Sequence, residues 1–136
     1  MKLSVVSGGF DPIHSGHILY LEAASKLGDK LIVALNSDEW LANKKGKFFM
    51  PFNERKKIIE NLQMVDEVIG FDDDQSGSCI NALEEIKSKY KDDEIIFCNG
   101  GDRNDGNIPE MAVSGIKFEF SVGGDNKANS SSWILK

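Results

Sequence analysis

Residues 2–37 read KLSVVSGGFDPIHSGHILYLEAASKLGDKLIVALNS, and the change of hydrophobic period inside this stretch decides the fold. KLSVVS is short, apolar and β-branched and runs into Gly8-Gly9, a strand meeting a turn. From Ser15 the period changes: Ile18, Leu21, Ala24 and Ser25 to Leu27 fall on one helical face, and Gly28 stands where a C-cap glycine belongs. DKLIVALNS is then almost unbrokenly apolar, the pattern of a strand covered on both faces of a sheet. Strand, helix and strand in that order make a βαβ unit.

The same alternation continues outward. Residues 39–53 carry lysines and aromatics without a clean period and are interrupted by Pro51, so they read as a loop. Asn53 is placed to cap a helix over NERKKIIENLQ, with Ile58, Ile59 and Leu62 as its buried stripe. VDEVIGF is a third strand, DDDQSGS a linker, and a helix is expected from Cys79 to about Tyr90 with Leu83, Ile86 and Tyr90 inward. EIIFCN gives a fourth strand ending at Gly100-Gly101, IKFEFSV a fifth, and NSSSWILK a short final helix. Parallel strands joined by helices place ligands beyond the carboxyl ends of the strands. Four clusters converge on that rim: Gly8 to His17, Asn36 to Asp38, Asn99 to Arg103, and Gly123 to Ser132.

A chain of 136 residues suits one domain, expected over 1–136, and 40% hydrophobic residues suffice for one core. The net charge of −6 argues against coating nucleic acid or an anionic membrane, while leaving room for a local pocket that takes a phosphorylated metabolite. Cys79 and Cys98 have no metal-ligand spacing and read as buried and reduced. No apolar run approaches the ~20 residues a membrane span needs, so a soluble cytoplasmic protein is expected.

Both histidines of the chain, His14 and His17, sit three positions apart across a helix start, so their rings can share a side. They read as capping or surface residues, as part of a metal site that lacks a suitably spaced third ligand, or as donors to a phosphoryl group. In the last reading they stabilise charge that grows in a transition state. Gly8 and Gly9 let a backbone approach a ligand, the following helix presents N–H groups suited to phosphate, and Gly16 keeps that wall open. Neither G-x-G-x-x-G nor G-x-x-x-x-G-K-[ST] occurs.

GGFDPIHSGH, an H-x-G-H after a G-x-F-D strand end, resembles the signature of the cytidylyltransferase-like nucleotidyltransferase superfamily. LGDKLIVALNSDEW and FNERKKIIENLQMVDEVI resemble the corresponding segments of glycerol-3-phosphate cytidylyltransferases and heptose-phosphate nucleotidyltransferases, so the likeness spans roughly residues 3–70. The implied fold is α/β, a single Rossmann-like domain with a five-stranded parallel sheet of order 3-2-1-4-5 and helices on both faces. The implied reaction joins a nucleoside monophosphate from a nucleoside triphosphate, CTP favoured, to a small phosphorylated alcohol or sugar, releasing pyrophosphate. An ATP-using heptose-1-phosphate adenylyltransferase and a non-catalytic nucleotide-binding module are the alternatives. Mg²⁺ carried with the triphosphate and a homodimeric assembly are implied as well, with no metal ligand assigned to the protein.

By the same resemblance His14, His17 and Lys44 are the catalytic candidates, Lys44 being chosen over Lys45 and Lys47 to grip the triphosphate. Gly8, Gly9, Phe10, Asp11 and Gly16 would line the nucleotide, Asp11 equally well shaping its turn through an Asx hydrogen bond. Gly100, Asp102 and Arg103 would face the base or ribose, although a plain turn explains the glycines equally. Ser130, Ser131 and Ser132 stand where relatives carry triphosphate-binding hydroxyls, which ordinary N-caps also supply. The family arginine before them is missing: Asp125 falls at its place, and Lys127 is the near substitute. Asp38, read as structural or acceptor-facing, and Arg55, read as a phosphate or acceptor ligand, are the acceptor candidates, with a helix-surface arginine as the alternative for Arg55. Trp40 fits either the core or a lid over the base.

Overall fold

In the computed structural model of the protein the described residues are 1–71, 80–99, 115–119 and 122, without the side chains of Lys44 and Lys45. The chain starts with β1 (Lys2–Gly8), α1 (Ser15–Ser25) and β2 (Lys30–Leu35). It continues through α2 (Asp38–Lys45), α3 (Phe52–Glu60) and β3 (Glu67–Gly70). After residues 72–79, α4 (Ile80–Lys89), β4 (Glu94–Cys98) and β5 (Lys117–Glu119) follow. The five strands form one parallel sheet in the order β3-β2-β1-β4-β5, as the sequence implies. No helix among the described residues is long and apolar enough to cross a membrane.

The strands sort their side chains by the two-residue period of the pleat. Leu3, Val5, Ile32, Ala34 and Phe97 turn to one face, where Ala82, Leu83 and Ile86 of α4 cover them. Val6, Leu31, Val33, Leu35 and Cys98 turn to the other, under Leu21 and Ala24 of α1 and Ile59 of α3. Because β2 is covered on both sides, Leu31 to Leu35 are all buried, which explains its continuous apolar run. The chain steps outward from β1 to β2 to β3 over α1 and α3, and then returns past α4 to β4 on the other side of β1. The strand order therefore reverses between β1 and β4, and in sheets of this kind ligands bind beyond the carboxyl ends at that point.

Four local expectations are corrected. Residues 39–53 are not all loop, because α2 occupies their first half. Ser37 Oγ accepts from Trp40 N at 3.0 Å, Asp38 and Glu39 fill the first turn, and Gly46 closes the helix at φ +85°. Asn53 does not cap α3: Pro51 holds the N-cap position at φ −65°, ψ 159°, and no side chain caps the helix. Its buried stripe runs through Arg55 and Ile59, while Ile58 and Leu62 are only half-buried. Gly28 is no C-cap either, since α1 ends earlier with Lys26 in right-handed geometry, leaving Leu27 outside the helical period and exposed.

Gly28 is required for a different reason. A Cβ there would lie 2.7 Å from Ser4 Oγ and 2.9 Å from the Lys2 carbonyl oxygen, so the turn can pass this close to β1 only without a side chain. Gly28→Ala gains a few tenths to ~1 kcal/mol from a stiffer unfolded chain but loses ~1–3 kcal/mol to the clash. A net destabilisation of about 1–2 kcal/mol is expected in urea unfolding.

Cys98 lies buried at the end of β4, and burial pushes its thiol up to about 12 from 9.0. Because the folded value is raised, the unfolded chain gives up this proton first. The contribution is complete below about pH 9 and is lost as pH rises toward 12. Iodoacetamide at about pH 8 should leave Cys98 unlabelled in the folded protein and label it fully in urea, as read by peptide mass spectrometry.

Candidate active site

The carboxyl end of β1 meets α1 through the turn that carries Gly8, Gly9, Phe10, Asp11, His14, Gly16 and His17. His14 is the N-cap of α1 with extended backbone (φ −146°, ψ 179°), and its Nδ1 accepts the Gly16 N–H at 3.0 Å. His17, three residues on, answers: its Nδ1 accepts the His14 N–H at 3.2 Å. This is a capping box built from two imidazoles in place of the usual hydroxyl and carboxylate. The rings stack with centroids 3.8 Å apart and planes 21° from parallel. A nitrogen that accepts an N–H carries no proton, so the network assigns each neutral ring the Nε2–H tautomer. Both half-buried rings are thus donors at the edge away from the backbone they cap.

Phe10 supports this pair. Its ring meets His17 edge-on at 4.9 Å and is 5% exposed, which holds the residue at φ +50° despite the strain of that region. The two glycines are short of space on their own account. A Cβ on Gly8 would come within 3.1 Å of the Phe10 ring, and one on Gly9 within 2.6 Å of Leu41 on α2. Trp40 lies against the same turn, 3.6 Å from that Gly9 position, and is half-buried.

Asp11 is 2% exposed and reaches far along the chain, accepting the N–H of Phe49 at 2.5 Å and of Met50 at 2.6 Å. Arg55, on the inner side of α3, is fully buried rather than lying on the helix surface. Its Nε donates to Met50 O (2.9 Å), its Nη1 to Gly9 O (2.9 Å) and Asn36 O (2.8 Å), and its Nη2 to Asp38 Oδ1 (2.7 Å). Asp38 opens α2 and keeps about a third of its side chain in solvent. Lys47, Phe48 and Phe49 are exposed on the loop beyond Gly46.

The turn after β1 therefore brings together His14, His17, Phe10, Asp11, Gly8, Gly9 and Gly16, and Arg55 and Asp38 join it from α3 and α2. The Lys44 side chain lies outside the description, and so do residues Gly100, Asp102, Arg103, Lys127, Ser130, Ser131 and Ser132. Tyr20 Oη donates to the Cys98 carbonyl, joining α1 to the end of β4. Asn99, next in the chain, is 1% exposed and donates its N–H to Glu119 O at 2.8 Å. Tyr20 and the Met50 peptide were not singled out by sequence, whereas Asn36 was placed in a rim cluster without a role. Only the position of Tyr20, one turn beyond His17, gave a signal.

The order of the sheet and the glycine turn leading into a histidine-capped helix define an α/β domain of the nucleotidyltransferase type. The sequence model of the cytidylyltransferase-like family matches residues 5–113, and the chain belongs to that family. It is 39% identical over 113 residues to the bifunctional protein HldE of Actinobacillus succinogenes, a match covering 74% of this chain and 24% of that protein. The chain spans about a quarter of the length of the curated relatives it matches. Its structure resembles a lipopolysaccharide core biosynthesis protein from Thermoplasma volcanium, with TM-score 0.68 and 26% identity over 95% of this chain and 98% of the other. It also resembles a bifunctional NMN adenylyltransferase/ADP ribose pyrophosphatase from Francisella tularensis, solved with AMP and a manganese ion. That likeness has TM-score 0.65 at 19% identity, covers 97% of this chain and 39% of the other, and concerns the fold alone.

Capping and ring chemistry can be separated at His14. His14→Ala should cost about 1 kcal/mol of stability through loss of the cap. His14→Asn, which restores an N-cap oxygen, should recover most of it in thermal melts while leaving no imidazole donor.

Proposed function

We propose that this protein transfers a nucleotidyl group from a nucleoside triphosphate to a small phosphorylated sugar or polyol. An oxygen of the acceptor phosphate attacks the α-phosphorus, the bond to the bridging oxygen breaks, and its electron pair leaves with pyrophosphate. The acceptor phosphate is already anionic, so positioning and charge stabilisation do the work, without a strong general base. The observation that carries the reading is the stacked His14–His17 pair at the start of α1, with each Nδ1 accepting a backbone N–H. In this reading the two Nε2–H donors, together with the helix N-terminus, serve charge developing on the α-phosphate.

Lys44 is proposed to add positive charge at the triphosphate. Gly8, Gly9, Phe10, Asp11, Gly16, Gly100, Asp102, Arg103, Lys127 and Ser130 to Ser132 are proposed to surround the nucleotide. Asp38, a third exposed, is the acceptor-facing group, with Arg55 acting behind it. A Mg²⁺ ion bound to the triphosphate would draw charge from the leaving pyrophosphate. The donor set fits an ion carried by the nucleotide, since the oxygens of Asp11 are engaged by two peptide N–H groups and Asp38 Oδ1 by Arg55.

A sugar-phosphate acceptor is supported by the segments that resemble heptose-phosphate nucleotidyltransferases and by the likeness to a lipopolysaccharide core biosynthesis protein. CTP is the first choice of nucleotide from the family signature, and the segments that resemble heptose-phosphate nucleotidyltransferases favour ATP as the second. A homodimer, from the family resemblance, completes the reading, with the cytoplasm as its expected place.

Pyrophosphate release measured with each nucleoside triphosphate, Mg²⁺ and a panel of sugar and polyol phosphates tests this. Turnover with one nucleotide and one acceptor class is expected. His17→Ala should lower kcat by about 10²–10³ with nucleotide affinity nearly unchanged. Nucleotide binding without release across the whole panel would identify a binding module instead.

A further inference from the structure

Resting on that reading, we propose that Arg55 and Asp11 close a ring of hydrogen bonds that positions the histidine turn against the loop after α2. Arg55 then acts on the reaction by holding that loop, not by touching the acceptor. The Met50 peptide is the joint. Its N–H donates to Asp11 Oδ1 at 2.6 Å, and its carbonyl accepts from Arg55 Nε at 2.9 Å. Arg55 Nη1 returns to the Gly9 carbonyl at 2.9 Å, two residues before Asp11. From Gly9 to Asp11, across to Met50, through Arg55 and back to Gly9, the path is closed. The other Nη1 bond, to Asn36 O at 2.8 Å, ties in the end of β2, and Nη2 on Asp38 ties in the start of α2.

The consequences follow from what the ring joins. His14 lies three residues beyond Asp11, and the lysines of α2 and its following loop lie just before Met50. The ring therefore holds the backbone that carries the imidazoles against the loop that follows the lysines. Phe49 is 62% exposed and Phe48 42%, yet the Phe49 N–H is held by the buried Asp11 carboxylate at 2.5 Å. Lysine cannot replace Arg55, because one ammonium nitrogen cannot span four acceptors lying in different directions. Asparagine cannot replace Asp11, because its NH₂ would oppose one of the two peptide N–H groups.

Arg55→Lys, Asp11→Asn and the double variant of the full chain test the proposal by two readouts, below the melting temperature of each. The first is amide hydrogen exchange at Phe49 and Met50, which needs no turnover. Each single variant should speed it about tenfold or more, and the double variant should add little, since either change opens the same ring. The second is steady-state pyrophosphate release, where kcat should fall about tenfold to a hundredfold with nucleotide KM changed by less than about threefold. Unchanged exchange at Phe49 and Met50, or a kcat for folded Arg55→Lys within about twofold of the parent, overturns the proposal. So does a loss confined to acceptor KM, which would return Arg55 to direct contact. A parent protein that releases no pyrophosphate with any nucleotide refutes nucleotidyl transfer, and the exchange arm still decides whether the ring holds the loop. Should Arg55→Lys fail to fold, Asp11→Asn carries both readouts.

Discussion

A guanidinium with no solvent exposure, Arg55 on α3, is the constraint from which the rim of this molecule follows. A charge taken out of water is costly unless it is paired and its donors are met, and removing one partner of such a pair costs about 3–5 kcal/mol. Here the pairing is with Asp38, and three backbone carbonyls accept from the other donors of the fork. Those carbonyls belong to the turn after β1, the end of β2 and the residue before Pro51. Satisfying one buried fork therefore forces three otherwise independent loop segments to meet. The planar geometry of the guanidinium makes the directions of those bonds specific as well as favourable.

The sheet supplies the place for that meeting. With β1 central and the strand order reversing beside it, the place where ligands bind in such sheets lies beyond β1 and β4. The turn into α1 opens there, and its helix start is capped by imidazoles. Using Nδ1 as the capping atom has a chemical consequence, because it moves the ring proton to the opposite edge. One pair of hydrogen bonds thus ends the exposed helix terminus and selects the tautomer that can donate to a phosphate. Phe10 locks the geometry from behind by filling the space beside Gly8 and meeting the His17 ring.

How much of this could be read in advance differs by element. The strands and the helices α1, α3 and α4 were legible because each buries apolar residues at its own period, as with Leu31 to Leu35 and with Leu83 and Ile86. The helix α2 was not: its single buried apolar residue is Leu41, set among lysines, and a lone residue has no period. Its signals were the capping serine and the terminal glycine, which any turn also carries. Arg55 read as a phosphate or acceptor ligand by resemblance, or as a helix-surface arginine, since its E-R-K-K run is a solvated pattern by composition. Gly28 showed the opposite failure, a correct residue with the wrong reason, since its need is proximity to Ser4 and Lys2 and not a left-handed cap.

Local pattern along the chain was enough to establish a parallel α/β sheet, its strand order by resemblance, and the turn on which both histidines sit. Those properties depend on side-chain period and on neighbours within a few positions, which a linear string records. Which loop Asp11 would hold, and which strand ends Arg55 would bridge, involved partners 19 to 46 residues apart or packed from separate helices. Hydrogen-bond geometry of that kind exists only after the chain has closed on itself, because it is set by distance in space and not by spacing in sequence.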